Sequence, residues 1–353
     1  MPKREAERRV AELRSLTETF GGLTVVTVIQ KRDVPDYRTY VGSGKLEEVA
    51  RIAKEEKADL LIINNLLKPG QVYNAAEKLR PAGVAVWDRV DLILKIFQQH
   101  ATTAEAKLQI KLAAIKHMGP RVFGMGMEMM QQAGGIGGRA GQGESNTEMM
   151  GRHLFEQEQA IRRQLEKAAS TRKVHRAGRR RAGFRTISIV GYTNAGKSSL
   201  LNALTRKGAF VADALFATLD TRVAKLWLPS ANVEILASDT IGFIQDLPPQ
   251  LVDAFRSTLE ETVEADLLLH VIDAADPFRD EKIAEVEEVL AHLGLADAQK
   301  LYVFNKMDRA KRVPKATLLK RFKTRTPVFV SAKTGEGLEE LKAKVAERLG
   351  QGP

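Results

Sequence analysis

The octapeptide Gly191-Tyr192-Thr193-Asn194-Ala195-Gly196-Lys197-Ser198 matches the pattern G-x-x-x-x-G-K-[ST] of a phosphate-binding loop. The pattern is meaningful only between a strand and a helix. Residues Phe184 to Val190 are rich in β-branched side chains, and Ser198 to Leu204 begin an apolar helical pattern. The sequence therefore predicts an α/β domain in which a strand, this loop and a helix bind a nucleotide phosphate.

The residues of this loop have separate expected roles. Glycines allow successive backbone N–H groups to point at the α- and β-phosphates, and the helix N-terminus adds its dipole. Lys197 is expected to reach the β- and γ-phosphate oxygens, and the Ser198 hydroxyl to bind Mg²⁺. The predicted nucleotide contacts are Gly191, Tyr192, Thr193, Asn194, Ala195, Gly196, Lys197 and Ser198.

A second segment supplies a candidate γ-phosphate sensor. The predicted strand Asn232 to Ser238 leads into Asp239-Thr240-Ile241-Gly242. The Asp239 carboxylate can hold the Mg²⁺ shell through water, and the Gly242 amide can approach the γ-phosphate because no Cβ stands in the way. The segment therefore predicts a site that distinguishes a triphosphate from a diphosphate.

The connector Phe216-Ala217-Thr218-Leu219-Asp220 lies between these two segments. Thr218 is the candidate for a second protein ligand of Mg²⁺, made only while the γ-phosphate is present, and Thr221 is the alternative. The residues with predicted catalytic roles are Lys197, Thr218, Asp239 and Gly242.

Base recognition is predicted at the end of another apolar strand, in Asn305-Lys306-Met307-Asp308. The Asp308 carboxylate only accepts hydrogen bonds, and guanine offers the adjacent donors N1–H and 2-amino, whereas adenine offers no such pair. Lys306 can lie across the base, and Asn305 can tie this segment to the phosphate loop. A backbone N–H of Ser331-Ala332-Lys333 can donate to the guanine O6. Together these motifs predict a GTP-binding domain of the Ras-like type.

Phe243 follows the D-T-I-G segment, where Ras-type enzymes carry the glutamine that orients the attacking water. A phenyl ring cannot position water. We therefore expect slow intrinsic hydrolysis that a partner, or another part of the chain, accelerates. Gln245 and Asp246 are possible substitutes, although solvated loop residues are the simpler interpretation.

The composition indicates a polyanionic partner. The chain has 353 residues, a net charge of +11 and a pI near 9.7, which favours contact with nucleic acid. It contains no cysteine, which excludes disulfides and thiolate metal sites and is compatible with a cytoplasmic location. No apolar run approaches a membrane-spanning length, and the first residues lack the apolar core of a signal peptide.

Residues 1–90 predict a small α/β domain with a parallel sheet. Gly42-Ser43-Gly44-Lys45 resembles a phosphate loop, but Leu46 replaces the Ser or Thr that would bind Mg²⁺, so we interpret it as a turn and helix cap. The apolar and helical stretches on which the domain prediction depends are Leu23 to Ile29, Leu46 to Lys54, Asp59 to Ile63, Gln71 to Leu79 and Val84 to Trp87.

Residues 91–171 predict a long antiparallel helical hairpin. Apolar residues recur at near-heptad spacing from Asp91 to Met118, with a weaker second copy from Met150 to Ala168. The connecting segment, about residues 119–146, is rich in glycine and methionine and too long for a passive turn. It is either disordered or a functional tip.

A basic run then leads, through a predicted linker over residues 172–183, into the GTP-binding domain at residues 184–350. Such a run is either a solvated linker or a contact for a nucleic-acid backbone, which would weaken steeply with salt. Its members are Arg172, Lys173, His175, Arg176, Arg179, Arg180, Arg181 and Arg185.

With these motifs in place, the chain resembles the HflX family of translation-associated GTPases over most of its length. The resemblance implies a GTPase that binds the large ribosomal subunit, extends its glycine-rich tip toward the peptidyl transferase centre, and splits or rescues stalled ribosomes. It is carried by Gly42 to Glu48, Asp88-Arg89 before Leu92 to Phe97, Gly134 to Gly137, the phosphate loop and Phe216 to Asp220.

Three functions remain open from the sequence. The first is a ribosome-binding GTPase that contacts rRNA through the hairpin and basic run, expected to be a monomer. The second is a GTPase in subunit assembly or RNA modification. The third is a scaffold that binds GTP and hardly hydrolyses it, which Phe243 permits. Arg139 to Glu148 and Asp220-Thr221-Arg222 depart from the usual family pattern and leave another ribosomal role open.

Overall fold

The computed structural model of the chain divides into two compact units. The first contains residues 1–99 and 107–166, and the second contains residues 100–106 and 167–353. The residues that the structure describes are 3–132, 146–205, 222–240, 242–245, 251, 256–310, 315–323 and 326–350.

The first unit contains the predicted small parallel sheet. Strands β1 and β2 pair in parallel from Leu60 opposite Ala85 to Ile63 opposite Asp88. Helix α2 begins directly after Gly42, which is its N-cap, and this confirms the interpretation of that glycine-rich stretch as a cap. The elements in chain order are α1 (Lys3–Phe20), α2 (Ser43–Glu56), β1 (Leu60–Ile63), α3 (Pro69–Leu79), β2 (Ala85–Asp88) and α4 (Arg89–His100).

The apolar stretch Leu23 to Ile29 is one of the short runs on which the prediction of a small α/β domain depends, but it forms no strand. Within the described residues it pairs with no strand, and Leu23 and Ile29 are exposed. Side-chain hydrogen bonds hold it instead, such as the bond from the Arg14 guanidinium to Thr27 Oγ1 at 2.9 Å. An apolar pattern can predict a strand, but the strand forms only where a neighbouring edge satisfies its backbone groups.

Two long helices, α5 (Ala104–Gln132) and α6 (Asn146–Arg181), form the predicted hairpin. Helix α5 continues into the segment expected to be tip loop, whose residues 133–145 lie outside the described part of the chain. Helix α6 includes residues 172–181, which were expected to form a linker. The apolar cluster shared by the helices consists of Leu108, Leu112, Ile115, Leu154, Ile161 and Leu165.

A six-stranded sheet in the order β4-β5-β3-β6-β7-β8 forms the centre of the second unit. Among the strand pairs of the described residues, β4 and β5 pair antiparallel and the other pairs of this sheet are parallel. The carboxyl ends of β5, β3, β6, β7 and β8 therefore meet at one edge. The strands are β3 (Thr186–Gly191), β4 (Arg222–Leu228), β5 (Val233–Asp239), β6 (Leu267–Asp273), β7 (Lys300–Asn305) and β8 (Val328–Phe329). The helices are α7 (Lys197–Thr205), α8 (Arg256–Val263), α9 (Arg279–His292), α10 (Lys315–Arg321) and α11 (Leu338–Gly350). This topology confirms the α/β fold.

Candidate nucleotide-binding site

The loop between β3 and α7 lies so close to its neighbours that two of its positions require glycine. Gly191 has φ +151°, and a Cβ there would lie 2.3 Å from the carbonyl oxygen of Val271. Gly196 has φ +91°, and a Cβ there would lie 2.3 Å from Nδ2 of Asn305. The loop backbone is therefore held against β6 and against the end of β7.

Lys197, the first residue of α7, is buried inside this loop. Its Nζ donates a hydrogen bond to the carbonyl oxygen of Tyr192 at 3.0 Å. Burial lowers the pKa of Lys197 to about 8, although the negative charge of Asp239 opposes this change and Lys306 adds to it. The ammonium group is thus poorly compensated by protein groups and suited to a phosphate.

Ser198 and Asp239 form the candidate magnesium site. The Ser198 hydroxyl donates to Oδ2 of Asp239 at 2.6 Å, and Asp239 is fully buried at the end of β5. Hydroxyl and carboxylate oxygens are the hard donors that Mg²⁺ prefers, so the donor set fits this ion. The predicted site residues Phe216, Ala217, Thr218, Leu219, Asp220 and Ile241, and the alternatives Thr221 and Asp246, lie outside the described residues.

The segment after Asp239 is joined to the phosphate loop by its backbone. The Thr193 N–H donates to the carbonyl oxygen of Phe243 at 2.7 Å, and the Phe243 N–H donates to that of Gly191 at 3.2 Å. Thr240 adds a bond from Oγ1 to the Ile189 carbonyl oxygen at 2.9 Å. These contacts bring the predicted γ-phosphate sensor and the predicted phosphate loop together.

Gly242 and Tyr192 complete this contact. A Cβ on Gly242 would lie 2.7 Å from Cγ2 of Thr193 and 2.9 Å from Nζ of Lys197. The Tyr192 hydroxyl accepts a hydrogen bond from the Gln245 N–H at 2.7 Å. Sequence reasoning missed this last link, because the residues are far apart in the chain and neither belongs to a motif that predicts it.

Asn305 connects the predicted base-reading segment to the predicted phosphate loop. Its Nδ2 donates to the carbonyl oxygen of Ala195 at 3.0 Å, and its Oδ1 accepts from the Ala332 N–H at 3.0 Å. Lys306 has φ +62°, and its Nζ donates to the carbonyl oxygen of Asn194 at 2.7 Å. One amide side chain therefore bridges three predicted motifs.

Asp308 is the candidate base reader. The Ser331 hydroxyl donates to Oδ1 of Asp308 at 2.7 Å and accepts from the Thr334 N–H at 3.2 Å. Ser331 is fully buried, while Lys333 is exposed and Met307 donates its N–H to the carbonyl oxygen of Val330. The carboxylate is thus oriented at the carboxyl edge of the sheet, on the side where Ala332 follows β8.

Part of the basic run is paired within the second unit. Arg172 contacts Glu105 and lies 3.5 Å from Oε2 of Glu260. Arg185 pairs with Asp266 at 3.2 Å. The Arg172 contacts hold the end of α6 in the second unit, and the Arg185 pair follows that helix, whereas Lys173 and Arg181 are exposed.

The site defines the class of this protein as a P-loop GTPase. It combines a buried lysine in a glycine-bounded loop, a carboxylate beside the first serine of α7, and an N-K-x-D segment that the sheet brings to the same edge. The sequence comparisons agree. Residues 186–306 match the family described as 50S ribosome-binding GTPase. Residues 7–98 and 100–179 match the families described as GTP-binding GTPase N-terminal and GTP-binding GTPase Middle Region. The chain belongs to the HflX family of GTPases, as its motifs predicted.

Its relatives match almost the whole chain. The GTPase HflX of Caldanaerobacter subterraneus subsp. tengcongensis is 41% identical over 98% of this chain and 78% of that protein. The GTPase HflX of Escherichia coli is 38% identical over 96% of this chain and 78% of that protein. A GTP-binding protein of Sulfolobus solfataricus, solved with GDP, is 26% identical with a TM-score of 0.50, covering 97% of this chain and 95% of that chain. The family and the nucleotide domain together establish GTP hydrolase activity.

Among the helices within the described residues, none combines the length and the apolar character needed to cross a bilayer.

Proposed function

We propose that this GTPase binds the large ribosomal subunit in its GTP-bound state and splits or rescues stalled ribosomes. The observation that carries the proposal is the match of residues 186–306 to a family described as 50S ribosome-binding GTPase. The net charge of +11 and the exposed side chains of Lys173 and Arg181 support contact with rRNA. We infer a monomer that acts in the cytoplasm, where ribosomes are found.

Each site residue has a separate proposed role in binding GTP and Mg²⁺. Lys197 stabilises the β- and γ-phosphates, Gly242 senses the γ-phosphate through its amide, and Asp308 selects guanine. Ser198, with Thr218, would hold Mg²⁺ directly and Asp239 through water. When bound, Mg²⁺ neutralises phosphate charge.

Hydrolysis by the chain alone is proposed to be slow. Phe243 occupies the position of a water-orienting glutamine and is 1% exposed, so its ring packs into the protein and offers no hydrogen bond to water. Gln245, the nearest candidate substitute, is itself buried. The missing catalytic group is therefore supplied by the ribosome or by a segment that the ribosome orders.

Co-sedimentation with isolated large subunits tests this proposal. We expect the chain to pellet with large subunits in a non-hydrolysable GTP analogue, and much less with GDP or with small subunits. Reversing two exposed charges, Lys173→Glu with Arg181→Glu, should weaken pelleting. The matched control Lys320→Glu with Lys323→Glu makes the same charge change elsewhere in the second unit and should not. The proposal would be contradicted if the chain pelleted with large subunits equally in the GTP analogue and in GDP, and equally with large and small subunits.

A further inference from the structure

A histidine and two aspartates meet in the first unit. Nε2 of His117, on α5, lies 3.3 Å from Oδ1 of Asp88 and 3.2 Å from Oδ1 of Asp91. Asp88 ends β2 and Asp91 lies in the first turn of α4. The three ligand-bearing atoms lie within 4.8 Å of one another, so three elements converge on one point.

The two carboxylates are held in place by a reciprocal cap of α4. The Asp91 N–H donates to Oδ1 of Asp88 at 2.9 Å, and the Asp88 N–H donates to Oδ2 of Asp91 at 3.0 Å. Oδ2 of Asp88 also accepts from the Leu67 N–H at 3.3 Å. Oδ1 of Asp91 therefore faces His117 while the other oxygen of that carboxylate serves the cap.

The cluster is buried, which makes its charge balance important. The exposed fractions of the side chains are 0% for Asp88, 12% for Asp91 and 10% for His117. The adjacent Arg89 makes an ion pair with Glu12 at 3.2 Å. A divalent cation at this point would lie against both carboxylates, and its charge would balance theirs.

The separations fit coordination of one ion. Two ligand atoms that each lie about 2.1 Å from a shared ion are about 3.0–3.4 Å apart at ordinary tetrahedral or octahedral angles. The measured Nε2-to-oxygen distances of 3.2 and 3.3 Å fall in this interval. A neutral imidazole with its lone pair at Nε2 would repel both oxygens, so this arrangement needs a cation or a proton between the atoms.

We propose that Asp88, Asp91 and His117 bind one Zn²⁺ ion. Imidazole nitrogen disfavours Mg²⁺ and Ca²⁺, which take oxygen ligands, while a set of one nitrogen and two carboxylate oxygens suits zinc with water as the fourth ligand. The ion joins the end of β2 and the start of α4 to the first helix of the hairpin. This inference is independent of the nucleotide site and of the ribosomal proposal.

The test is Zn²⁺ binding by untagged, chelator-treated, nucleotide-free full-length chain, titrated in competition with a zinc-sensitive dye. We expect the unaltered chain to bind one Zn²⁺ ion tightly, and His117→Gln to bind that ion at least about tenfold more weakly. The variant His153→Gln replaces an exposed histidine on α6 and should keep tight binding of that ion. Ser198→Ala, in the magnesium site, should also keep it.

Two further measurements separate a lost ligand from a lost fold. Circular dichroism and GTP binding should be alike in His117→Gln and the unaltered chain, and saturating Zn²⁺ should raise the thermal midpoint of the unaltered chain only. If His117→Gln is unstable, Co²⁺ replaces Zn²⁺ in the unaltered chain, where four-coordinate binding should give visible absorption much stronger than that of Co²⁺ in water; absorption as weak as in water would count against the site. The proposal would be overturned if the unaltered chain bound no Zn²⁺ tightly. It would also be overturned if tight Zn²⁺ binding survived in His117→Gln or was lost in Ser198→Ala.

Discussion

Asn305 donates a hydrogen bond from Nδ2 to the carbonyl oxygen of Ala195 at 3.0 Å, so the segment predicted to read the base also holds the loop predicted to bind phosphate. A change in one motif must therefore affect the other. The close approach of Gly196 to the same amide, where an added Cβ would lie 2.3 Å from Nδ2, makes this coupling testable.

We expect Gly196→Ala to weaken binding of both GTP and GDP by at least about tenfold, or about 1.4 kcal/mol. The methyl group would displace the Asn305 amide and strain a backbone at φ +91°. Fluorescent-nucleotide titration measures the change. Gly294→Ala is the matched control, because Gly294 also has a positive φ, at +79°, but has open space around it. Similar nucleotide affinity in the two variants would refute the coupling.

Asp308→Asn should change the preferred base from guanine to xanthine. The asparagine amide donates where the carboxylate accepts, and xanthine has a 2-oxo group where guanine has the 2-amino group. Competition with GTP and XTP should show GTP affinity reduced by about a hundredfold. Asp297→Asn, at an exposed position, should retain the guanine preference. Unchanged guanine preference in Asp308→Asn would show that another group reads the base.

Nucleotide affinity should fall as the pH rises through about 8, because burial lowers the pKa of Lys197 to about that value in the free protein. Binding to phosphate requires the ammonium form, so affinity is full below this pKa and decreases above it by at most about tenfold per pH unit. Equilibrium titrations with GTP across this interval measure the effect, with circular dichroism as the check that the fold persists. Constant affinity up to about pH 9 would contradict the assigned role of Lys197.

Glu287 should stabilise the second unit in a pH-dependent manner. Burial raises the pKa of Glu287, but hydrogen bonds with His270, Lys300 and Tyr302 outweigh burial and hold it at about 2, below the ordinary 4.5. A lowered carboxyl pKa contributes stability above about 4.5 that is lost as the pH falls toward about 2.

Glu287→Gln should therefore reduce the free energy of unfolding by about 2 kcal/mol near neutral pH, with the difference shrinking below about pH 4.5. Urea unfolding at several pH values measures this. The neighbouring Glu288→Gln, at an exposed position of α9, is the control and should have little effect. A difference between Glu287→Gln and the unaltered chain that is constant with pH would exclude an ionised Glu287 as its source.

The parts of the fold that depend on short-range patterns could be predicted from the sequence. The phosphate loop, the segment after Asp239 and the Asn305 segment each follow an apolar strand, and a parallel sheet necessarily brings such segments to one edge. The family was likewise predictable, because its motifs are contiguous.

What could not be predicted depends on pairing between distant residues. Two such pairings are the hydrogen bond between Gln245 and Tyr192 and the contact between His117 and Asp88. No sequence motif relates the positions of either pair. The exposed stretch Leu23 to Ile29 shows that a local apolar pattern is also not sufficient, because this stretch has no partner strand among the described residues.

The measurement that tests the account most directly is steady-state GTP hydrolysis by the chain alone, with isolated large ribosomal subunits, and with an equal mass of unrelated structured RNA, each at two salt concentrations. We expect slow hydrolysis alone and strong stimulation by large subunits only. The stimulation should be reduced at the higher salt concentration and by deletion of residues 124–143, which belong to the predicted tip segment. GTP affinity should survive that deletion. No stimulation by large subunits, or equal stimulation by unrelated RNA, would contradict the ribosomal function.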